Sequence, residues 1–323
     1  MGSLAETFRP GSRYQAFFGS LATFGLAYGL YKGVLDNYLA EIVEMSEMGR
    51  GVSEFFRELP GLALVFLLAA FYMMSAERIY KMGAMIMLAG MVLHAVIPAH
   101  KVLATAAICV YSLGEHLQLG MRNTLSLEYA RPGWGGTALG LQNSIYQIGS
   151  LAGYLIIAAV FSLGQSSLGL FRGVYWSAAA ITGCGFLLSL RMTGHSETDP
   201  SKRRFYFHKK YRKYYMLEVF YGARKQVFFT FGPYVLVLFY KADAAAISLL
   251  FAVSAVCCFA AAPLVGRIID RLGYKVVMVA DTLLLVIVCF FYGFAHHIFS
   301  MQTAFLVCCV NYVLDSVISL ASM

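Results

Sequence analysis

Long apolar runs alternate with short polar breaks along the whole 323-residue chain. Each run approaches the roughly 20 residues that an α-helix needs to cross the hydrocarbon core of a bilayer. Because unpaired backbone groups are costly in lipid, such runs are expected to be helical. The pattern predicts ten membrane helices, at residues 14–35, 57–75, 82–98, 102–125, 137–164, 171–192, 213–240, 245–264, 276–296 and 299–323.

Composition and charge support a polytopic membrane protein. The chain is 59% hydrophobic and 13% charged, whereas soluble domains average roughly 25% charged residues. The net charge of +8 could suggest a nucleic-acid partner, but the basic residues concentrate in alternate loops, as the positive-inside rule describes. This asymmetry predicts an integral protein of the plasma (inner) membrane with a cytoplasmic N-terminus, and no nucleic acid as partner.

The sequence favours neither an enzyme nor a cofactor-dependent protein. All seven cysteines fall in predicted membrane helices, and none has the spacing of a metal site or a disulfide framework. The sequence also has no P-loop and no nucleophile motif. We therefore expect no catalytic residue, no cofactor and no metal ligand.

Two short matches at one offset predict an internal repeat. Residues 28–34 read YGLYKGV and residues 221–227 read YGARKQV, which places the two phrases 193 residues apart. The dipeptides ER at 77–78 and DR at 270–271 keep the same offset. Because both copies would begin on the same side of the membrane, the repeat predicts two parallel six-helix halves.

The repeat also predicts where the halves lie. We expect an N-terminal six-helix half over residues 1–193, a basic cytoplasmic linker over 194–213, and a C-terminal half over 214–323 with helices 7–10 only. The offset matches Met323 to the end of the fourth helix, so the last two helices of the second half would be missing. The chain would then be a fragment of a twelve-helix protein, or else a natural ten-helix variant.

Residues 266–275, GRIIDRLGYK, resemble the loop motif of the major facilitator superfamily. The resemblance implies an all-α polytopic membrane protein with two parallel six-helix halves related by pseudo-two-fold symmetry, truncated here after the fourth helix of the second half. In that family the charges of the motif latch the cytoplasmic side in one state of alternating access. Gating roles are therefore implied for Gly266, Asp270, Arg271, Gly273 and Lys275, and for Glu77 and Arg78 in the weaker first copy.

Ionisable side chains inside the predicted helices are the main functional signal, because burying one in lipid costs at least about 2.5–3.5 kcal/mol. Lys32 and Lys225 lie in the first helix of each half, which lines the central cavity of a two-half transporter. Converging cations favour an anionic or zwitterionic solute. Alternatively, Asp36 lies one turn after Lys32 and neutralises it. The predicted solute site contains Tyr28, Tyr31, Lys32, Asn143, Gln147, Arg224 and Lys225.

The fourth predicted helix supplies candidates for proton coupling. Glu115, Gln118 and Arg122 fall on one face at three- and four-residue steps, with His116 beside them. A carboxylate in a low-dielectric cavity and a histidine can both exchange protons near neutral pH, so Glu115 and His116 are predicted to carry a coupling proton. The alternatives are a structural network in which Glu115 permanently neutralises a cation, and a packing histidine whose hydrogen bonds are satisfied.

Three further polar residues lie in the last two predicted helices. At the repeat offset, Asn311 and Asp315 match Gln118 and Arg122. We therefore predict that Arg122, Asn311 and Asp315 belong to a gate and that an ion pair joins Arg122 to Asp315. Asp281 lies two turns into the ninth helix, and the sequence suggests no role for it.

Together these patterns predict a secondary active transporter that works by alternating access, couples to protons and moves a small organic anion or zwitterion. The expected partners are the solute, the coupling ion and the lipid bilayer, and the expected state is a monomer. Two alternatives stay open because a fold does not determine a function. One is an exporter or flippase of amphipathic molecules or lipids, and the other is a non-transporting membrane sensor on the same fold.

Overall fold

The computed structural model describes residues 7–9, 13–192 and 208–319. Within these residues the ten predicted helices are present, so that prediction is confirmed. Most of the predicted basic linker, 194–213, lies outside them. The helices are α1 (Tyr14–Asn37), α2 (Glu47–Ala70), α3 (Ala76–Val96), α4 (Lys101–Tyr129), α5 (Gly135–Leu163), α6 (Leu168–Leu190), α7 (Arg212–Leu238), α8 (Ala244–Leu272), α9 (Tyr274–Ile298) and α10 (Met301–Ile318).

Seven helices among the described residues are long and apolar enough to cross a membrane. They are α3, α4, α5, α6 and α10, together with the Ala244–Ala262 part of α8 and the Lys275–Ile298 part of α9. The helix α7 adds a shorter apolar stretch, Phe228–Leu238. The chain is therefore an integral membrane protein.

The helix α2 begins ten residues earlier than predicted, at Glu47 rather than at residue 57. The Ser46 hydroxyl caps this end, because it accepts a hydrogen bond from the backbone N–H of Gly49 at 3.2 Å. The apolar pattern missed the first turns of α2 because they contain charged side chains. Arg50 is one of them, and the structure buries it almost completely.

The chain forms two compact units, Met1–Ile156 with Gln165–Tyr206, and Ile157–Gly164 with Phe207–Met323. The first unit contains α1–α4, α6 and most of α5, and the second contains α7–α10. The predicted boundary between two halves stays a prediction, since the residues of the linker lie mostly outside the described ranges.

Within the first unit, α1 and α5 cross with their backbones in contact. A Cβ atom on Gly29 would lie 2.2 Å from the carbonyl oxygen of Ser150, and one on Gly153 would lie 2.6 Å from that of Leu26. Such a crossing requires residues without a side chain. The GxxxG spacing of Gly149 and Gly153 therefore serves helix packing.

The helix positions correct the predicted repeat offset. The four helices of the second unit begin 197–200 residues after α1–α4, not 193 residues after them. The difference exceeds one helical turn, which is about 3.6 residues. Lys32 and Lys225 therefore occupy different positions relative to the starts of their helices.

The second sequence match, ER at 77–78 with DR at 270–271, also joins positions that differ relative to their helices. Glu77 and Arg78 lie in the first turn of α3, whereas Asp270 and Arg271 lie in the last turn of α8. Charged residues collect on both sides of a cytoplasmic loop, because membrane topology places basic residues there and helix ends favour charges. Two short matches between such loops can therefore agree by composition without sharing a structural position.

Candidate functional site

A chain of alternating charges runs from α1 into α2 in the first unit. Successive members have opposite signs, and three cations face three carboxylates, so their formal charges cancel. We call this group the charge ladder. Its members are Lys32, Asp36, Arg50, Glu54, Arg57 and Glu58.

The first half of the charge ladder joins α1 to α2. Lys32 donates to Asp36 from the preceding turn of α1, with Nζ 3.1 Å from Oδ2. Arg50 of α2 donates to the other oxygen of the same carboxylate, with Nη2 3.3 Å and Nε 3.4 Å from Oδ1. The side chain of Asp36 is fully buried, so its charge is offset from both sides.

The second half of the charge ladder runs along α2. Arg50 Nη1 lies 2.6 Å from Glu54 Oε2, and Arg57 Nε lies 2.7 Å from Glu54 Oε1. Arg57 also donates to Glu58. The four residues follow at three- and four-residue steps or as neighbours, so one helical face brings them together.

His116 of α4 continues the charge ladder at its far end. Its Nε2 lies 3.7 Å from Glu58 Oε2, and its Nδ1 lies 2.9 Å from the carbonyl oxygen of Ser112. The helix α2 approaches this ring at a glycine, because a Cβ on Gly61 would lie 2.5 Å from His116 Nε2. The histidine therefore has polar partners, which a packing histidine with satisfied hydrogen bonds would also have, so its role in proton coupling stays a prediction.

Glu115 differs from every member of the charge ladder. No described residue forms a hydrogen bond or ion pair with its carboxylate, although it interacts electrostatically with Arg57, His116 and Arg122. The carboxylate also interacts electrostatically with tyrosine side chains of α1, α4 and α5. They are Tyr28, Tyr31, Tyr111, Tyr146 and Tyr154.

Arg122 lies seven residues after Glu115, two turns along α4. Its guanidinium carbon lies 4.5 Å from the centre of the Tyr146 ring, in cation–π contact. Its Nε is buried and has no hydrogen-bond partner among the described residues, and no described carboxylate pairs with the group. The Tyr28 ring lies 5.8 Å from the same Tyr146 ring. We call Glu115, Arg122, Tyr28, Tyr146 and Tyr154 the α4 site.

The predicted solute residues of the first unit do not all lie together. Tyr28 belongs to the α4 site, whereas Lys32 pairs with Asp36, as the alternative interpretation had it. Tyr31 is buried and stacks on Tyr111 at 4.1 Å between ring centres. Roles for these residues in solute binding stay predictions.

The other polar candidates of the first unit lie on α4 and α5. Asn143 and Gln147 are exposed on α5, one turn apart. Gln118, predicted to share a face with Glu115, is buried beside the close approach of Gly83 to α4. The role of Gln118 beside Glu115 stays a prediction.

The gating candidates of the first unit lie near the start of α3. The Glu77 side chain is buried, and the Tyr129 hydroxyl at the end of α4 donates to it. Arg78 is exposed, and its backbone N–H is capped by the Ser75 hydroxyl at 3.3 Å. Glu77 therefore ties α3 to α4, which is compatible with a latch, and its role as a gate stays a prediction.

The structure describes some of the residues of the second unit that were predicted to be functional. Gly273 precedes α9 with φ of 78°, the left-handed conformation that the predicted tight turn requires. Arg271 and Lys275 are exposed beside it. Asn311, Asp315 and Asp281 are buried in α10 and α9. The side chains of Arg224, Lys225, Gly266 and Asp270 lie outside the described part of the chain, and the predicted pair of Arg122 with Asp315 stays a prediction.

Sequence reasoning missed the part of the charge ladder that lies on α2. The signal was present, because Arg50, Glu54 and Arg57 follow at four- and three-residue steps with alternating signs. Such spacing is typical of one helical face. The apolar run begins only at residue 57, so the charged turns before it lie outside the predicted helix.

Comparisons with known proteins find the fold and no sequence relative. A scan against protein-family models finds no match, and a search of curated proteins finds none either. Solved structures do match. A mutant of the nucleoside transporter NupG has a TM-score of 0.71 at 16% identity, over 94% of this chain and 79% of that one.

Two further solved structures agree with this match. A D-xylose–proton symporter has a TM-score of 0.67 at 13% identity, over 95% of this chain and 79% of that one. A bacterial homologue of the human lysosomal transporter Spinster has a TM-score of 0.64 at 15% identity, over 97% of this chain and 74% of that one. The chain therefore has the major facilitator fold, as its loop motif predicted.

Proposed function

We propose that the protein is a secondary active transporter that works by alternating access and couples proton movement to a small zwitterionic or anionic organic solute. The fold supports this proposal, since the similar solved structures carry the names of a nucleoside transporter, a proton symporter and a bacterial homologue of a lysosomal transporter. A fold alone leaves the function open. The argument therefore rests on the α4 site.

The observation that carries the proposal is the carboxylate of Glu115. It lies inside a membrane-spanning helix and is not paired by any described residue, while three cationic side chains lie within electrostatic range. An ionisable group in this position is expensive and marks an ion or solute pathway in membrane proteins. A non-transporting sensor on the same fold would have no need of it.

The α4 site suggests the class of solute. Glu115 and Arg122 present opposite charges two turns apart, or roughly 10 Å along the helix axis. The rings of Tyr28, Tyr146 and Tyr154 add apolar faces and hydroxyl groups beside them. A zwitterion offsets both charges at once, whereas an anion offsets only the guanidinium.

Glu115 also provides a place for the coupling proton. A proton on this carboxylate removes its charge without any partner from the protein, so the group is stable as an acid in lipid-like surroundings and as a carboxylate beside a solute cation. His116 lies next to it and contacts Glu58, so a second titratable group is in reach. Binding of proton and solute would then be linked.

The test uses proteoliposomes that contain the purified full chain and a trapped pH-sensitive dye. Small zwitterions, organic anions and uncharged sugars are added in turn, and internal pH and tracer counterflow are both recorded. We expect one charged class to move protons. We expect Glu115→Gln to keep counterflow of that class, with a higher KM if the solute is a zwitterion, and to lose proton movement.

The matched control is Glu47→Gln, because Glu47 is an exposed carboxylate in the first turn of α2. It should behave as the unchanged protein does. Counterflow without proton movement in the unchanged protein would exclude proton coupling. Counterflow of sugars alone would exclude the charged solute class, and no counterflow with any class would count against transport.

A further inference from the structure

A second group of buried polar side chains lies in the first unit, where α1, α3, α4 and α6 meet. We call it the aromatic cluster, and it consists of Tyr31, His94, Tyr111 and Tyr175. The Tyr31 ring centre lies 4.1 Å from that of Tyr111, 5.4 Å from His94 and 5.9 Å from Tyr175. The His94 and Tyr175 rings are 5.0 Å apart. Tyr31 therefore contacts the other three rings, and His94 also contacts Tyr175.

Each member of the aromatic cluster buries a polar atom that no described residue pairs. These atoms are the hydroxyl oxygens of Tyr31, Tyr111 and Tyr175 and the Nε2 of His94. All four residues are at most 2% exposed. Because about 90% or more of buried polar groups have a hydrogen-bond partner, four exceptions in one place point to a partner that is not a side chain.

The chemistry of His94 shows what that partner must do. Its Nδ1 lies 3.0 Å from the carbonyl oxygen of Gly90. A carbonyl oxygen can only accept, so Nδ1 carries the hydrogen and donates it. In the neutral ring Nε2 is then an acceptor. The tyrosine hydroxyls each have a hydrogen to donate, so the missing partner must donate to Nε2 and accept from a hydroxyl.

Water satisfies both requirements, and its size suits the place. The rings of the aromatic cluster are in stacked or edge contact, at the separations usual for packed aromatic pairs. A solute of several heavy atoms would not fit between such rings. A single water can donate twice and accept twice, and buried waters typically join about three polar groups in this way.

We propose that the aromatic cluster is an internal water-binding site of the first unit, in which a bound water donates to His94 Nε2 and accepts from a tyrosine hydroxyl. The water joins α3 to the helix of that tyrosine through polar contacts that the side chains do not make directly. This role is independent of the α4 site and of transport.

The direct test is X-ray radiolytic labelling of the full chain in detergent, with oxidised residues identified by mass spectrometry. Radiolysis of a bound water oxidises the side chains next to it, even where bulk solvent does not reach. Tyr80 is the matched control, because it is equally buried and its hydroxyl pairs with Ser20 Oγ at 3.0 Å. We expect severalfold faster labelling of at least one cluster tyrosine than of Tyr80. Labelling at the Tyr80 level would overturn the proposal.

A second test uses the sign of a stability change. If water bridges the Tyr175 hydroxyl, Tyr175→Phe should lower the melting temperature by about 2 °C or more. If the hydroxyl truly lacks a partner, its removal should leave the melting temperature unchanged or raise it. Either of those results would overturn the assignment of this hydroxyl to the water.

Two further variants calibrate the measurement. Tyr292→Phe removes a hydroxyl that donates to the Gly232 carbonyl at 2.6 Å in the second unit, so it gives the loss expected for one real hydrogen bond. Tyr211→Phe removes an exposed hydroxyl and should change nothing. A fall for Tyr175→Phe that matches the Tyr292→Phe fall would support the bridging water.

Discussion

The charge ladder and the α4 site lie side by side in the first unit, and they treat buried charge in opposite ways. In the charge ladder each cation lies between carboxylates or beside one, at 2.6–3.4 Å for most contacts. In the α4 site, no described residue forms a hydrogen bond or ion pair with Glu115, and Arg122 contacts the Tyr146 ring rather than a carboxylate. The charges of the charge ladder are paired within the protein, whereas the carboxylate of Glu115 is available to a ligand.

This difference changes how the charge of Lys32 is interpreted. A cation inside a membrane helix first suggested a solute site, but Lys32 contacts Asp36, which also binds Arg50. A buried charge with good partners is expensive to break and needs no ligand. The contrast teaches that the unpaired state of a buried charge, rather than its presence, indicates function.

The largest expected effect comes from breaking the charge ladder at its centre. Arg50→Ala would leave Asp36 and Glu54 without their shared cation, and loss of one partner in a buried ion network typically costs about 3–5 kcal/mol. We therefore expect a loss of this size in the free energy of unfolding, measured by denaturant titration in mixed micelles. Arg78→Ala removes an exposed cation and is the control.

One outcome for Arg50→Ala would contradict this prediction. A loss no larger than that of Arg78→Ala would mean that Arg50 is screened by solvent and that the charge ladder is not a buried network. The distinction between paired and unpaired charge would then lose its structural basis, even if the α4 site proved functional.

The sequence predicted the ten helices, because apolar runs of membrane length leave few alternatives to helices, whereas the fold was implied by the resemblance of residues 266–275 to a family loop motif. It also predicted the pairing of Lys32 with Asp36 as an alternative, since four-residue spacing on a helix brings side chains together. Contacts between helices were a different matter. The partner of Asp36 on α2 could not be read from spacing, because Arg50 lies fourteen residues away and beyond a turn.

The errors have the same origin. The offset of 193 residues came from two short charged matches, and the helix starts show 197–200 instead. Local composition cannot fix register, whereas packing can. Tyr31 shows the same limit, because only its contacts with α3, α4 and α6 reveal that it belongs to the aromatic cluster, and its role in solute binding stays a prediction.

The second prediction separates structure from function at Lys32. Lys32→Met keeps the apolar stem and removes the charge, and Asp36 retains Arg50, so the loss of stability should be about 1–3 kcal/mol, smaller than for Arg50→Ala. Solute counterflow should keep its KM. A rise in KM with unchanged stability would restore Lys32 to the solute site, as the sequence first suggested.

The third prediction tests the contact of His116, which lies next to Glu115 on α4, with Glu58 of the charge ladder. A Cβ on Gly61 would lie 2.5 Å from His116 Nε2, so Gly61→Ala should push the ring away from Glu58. The ring can rotate, so the expected cost is modest, about 1 kcal/mol. Gly183→Ala is the control, because a Cβ there meets nothing within 4 Å. Equal stability and equal pH dependence of transport in both variants would show that the His116 contact has no role.

The smallest expected change in the free energy of unfolding is that of Glu115→Gln. This variant compares the charge ladder with the α4 site most directly. Glu115→Gln and Glu54→Gln make the same chemical change on neighbouring helices. In the charge ladder the change removes a charge that two arginines require, so we expect Glu54→Gln to cost about 3 kcal/mol. In the α4 site it removes a charge that no described residue hydrogen-bonds or ion-pairs, although Arg57, His116 and Arg122 interact with it electrostatically. We therefore expect Glu115→Gln to alter the free energy of unfolding by less than about 0.5 kcal/mol, or to raise it. Equal losses in the two variants, measured in the same micelles, would show that Glu115 is structural.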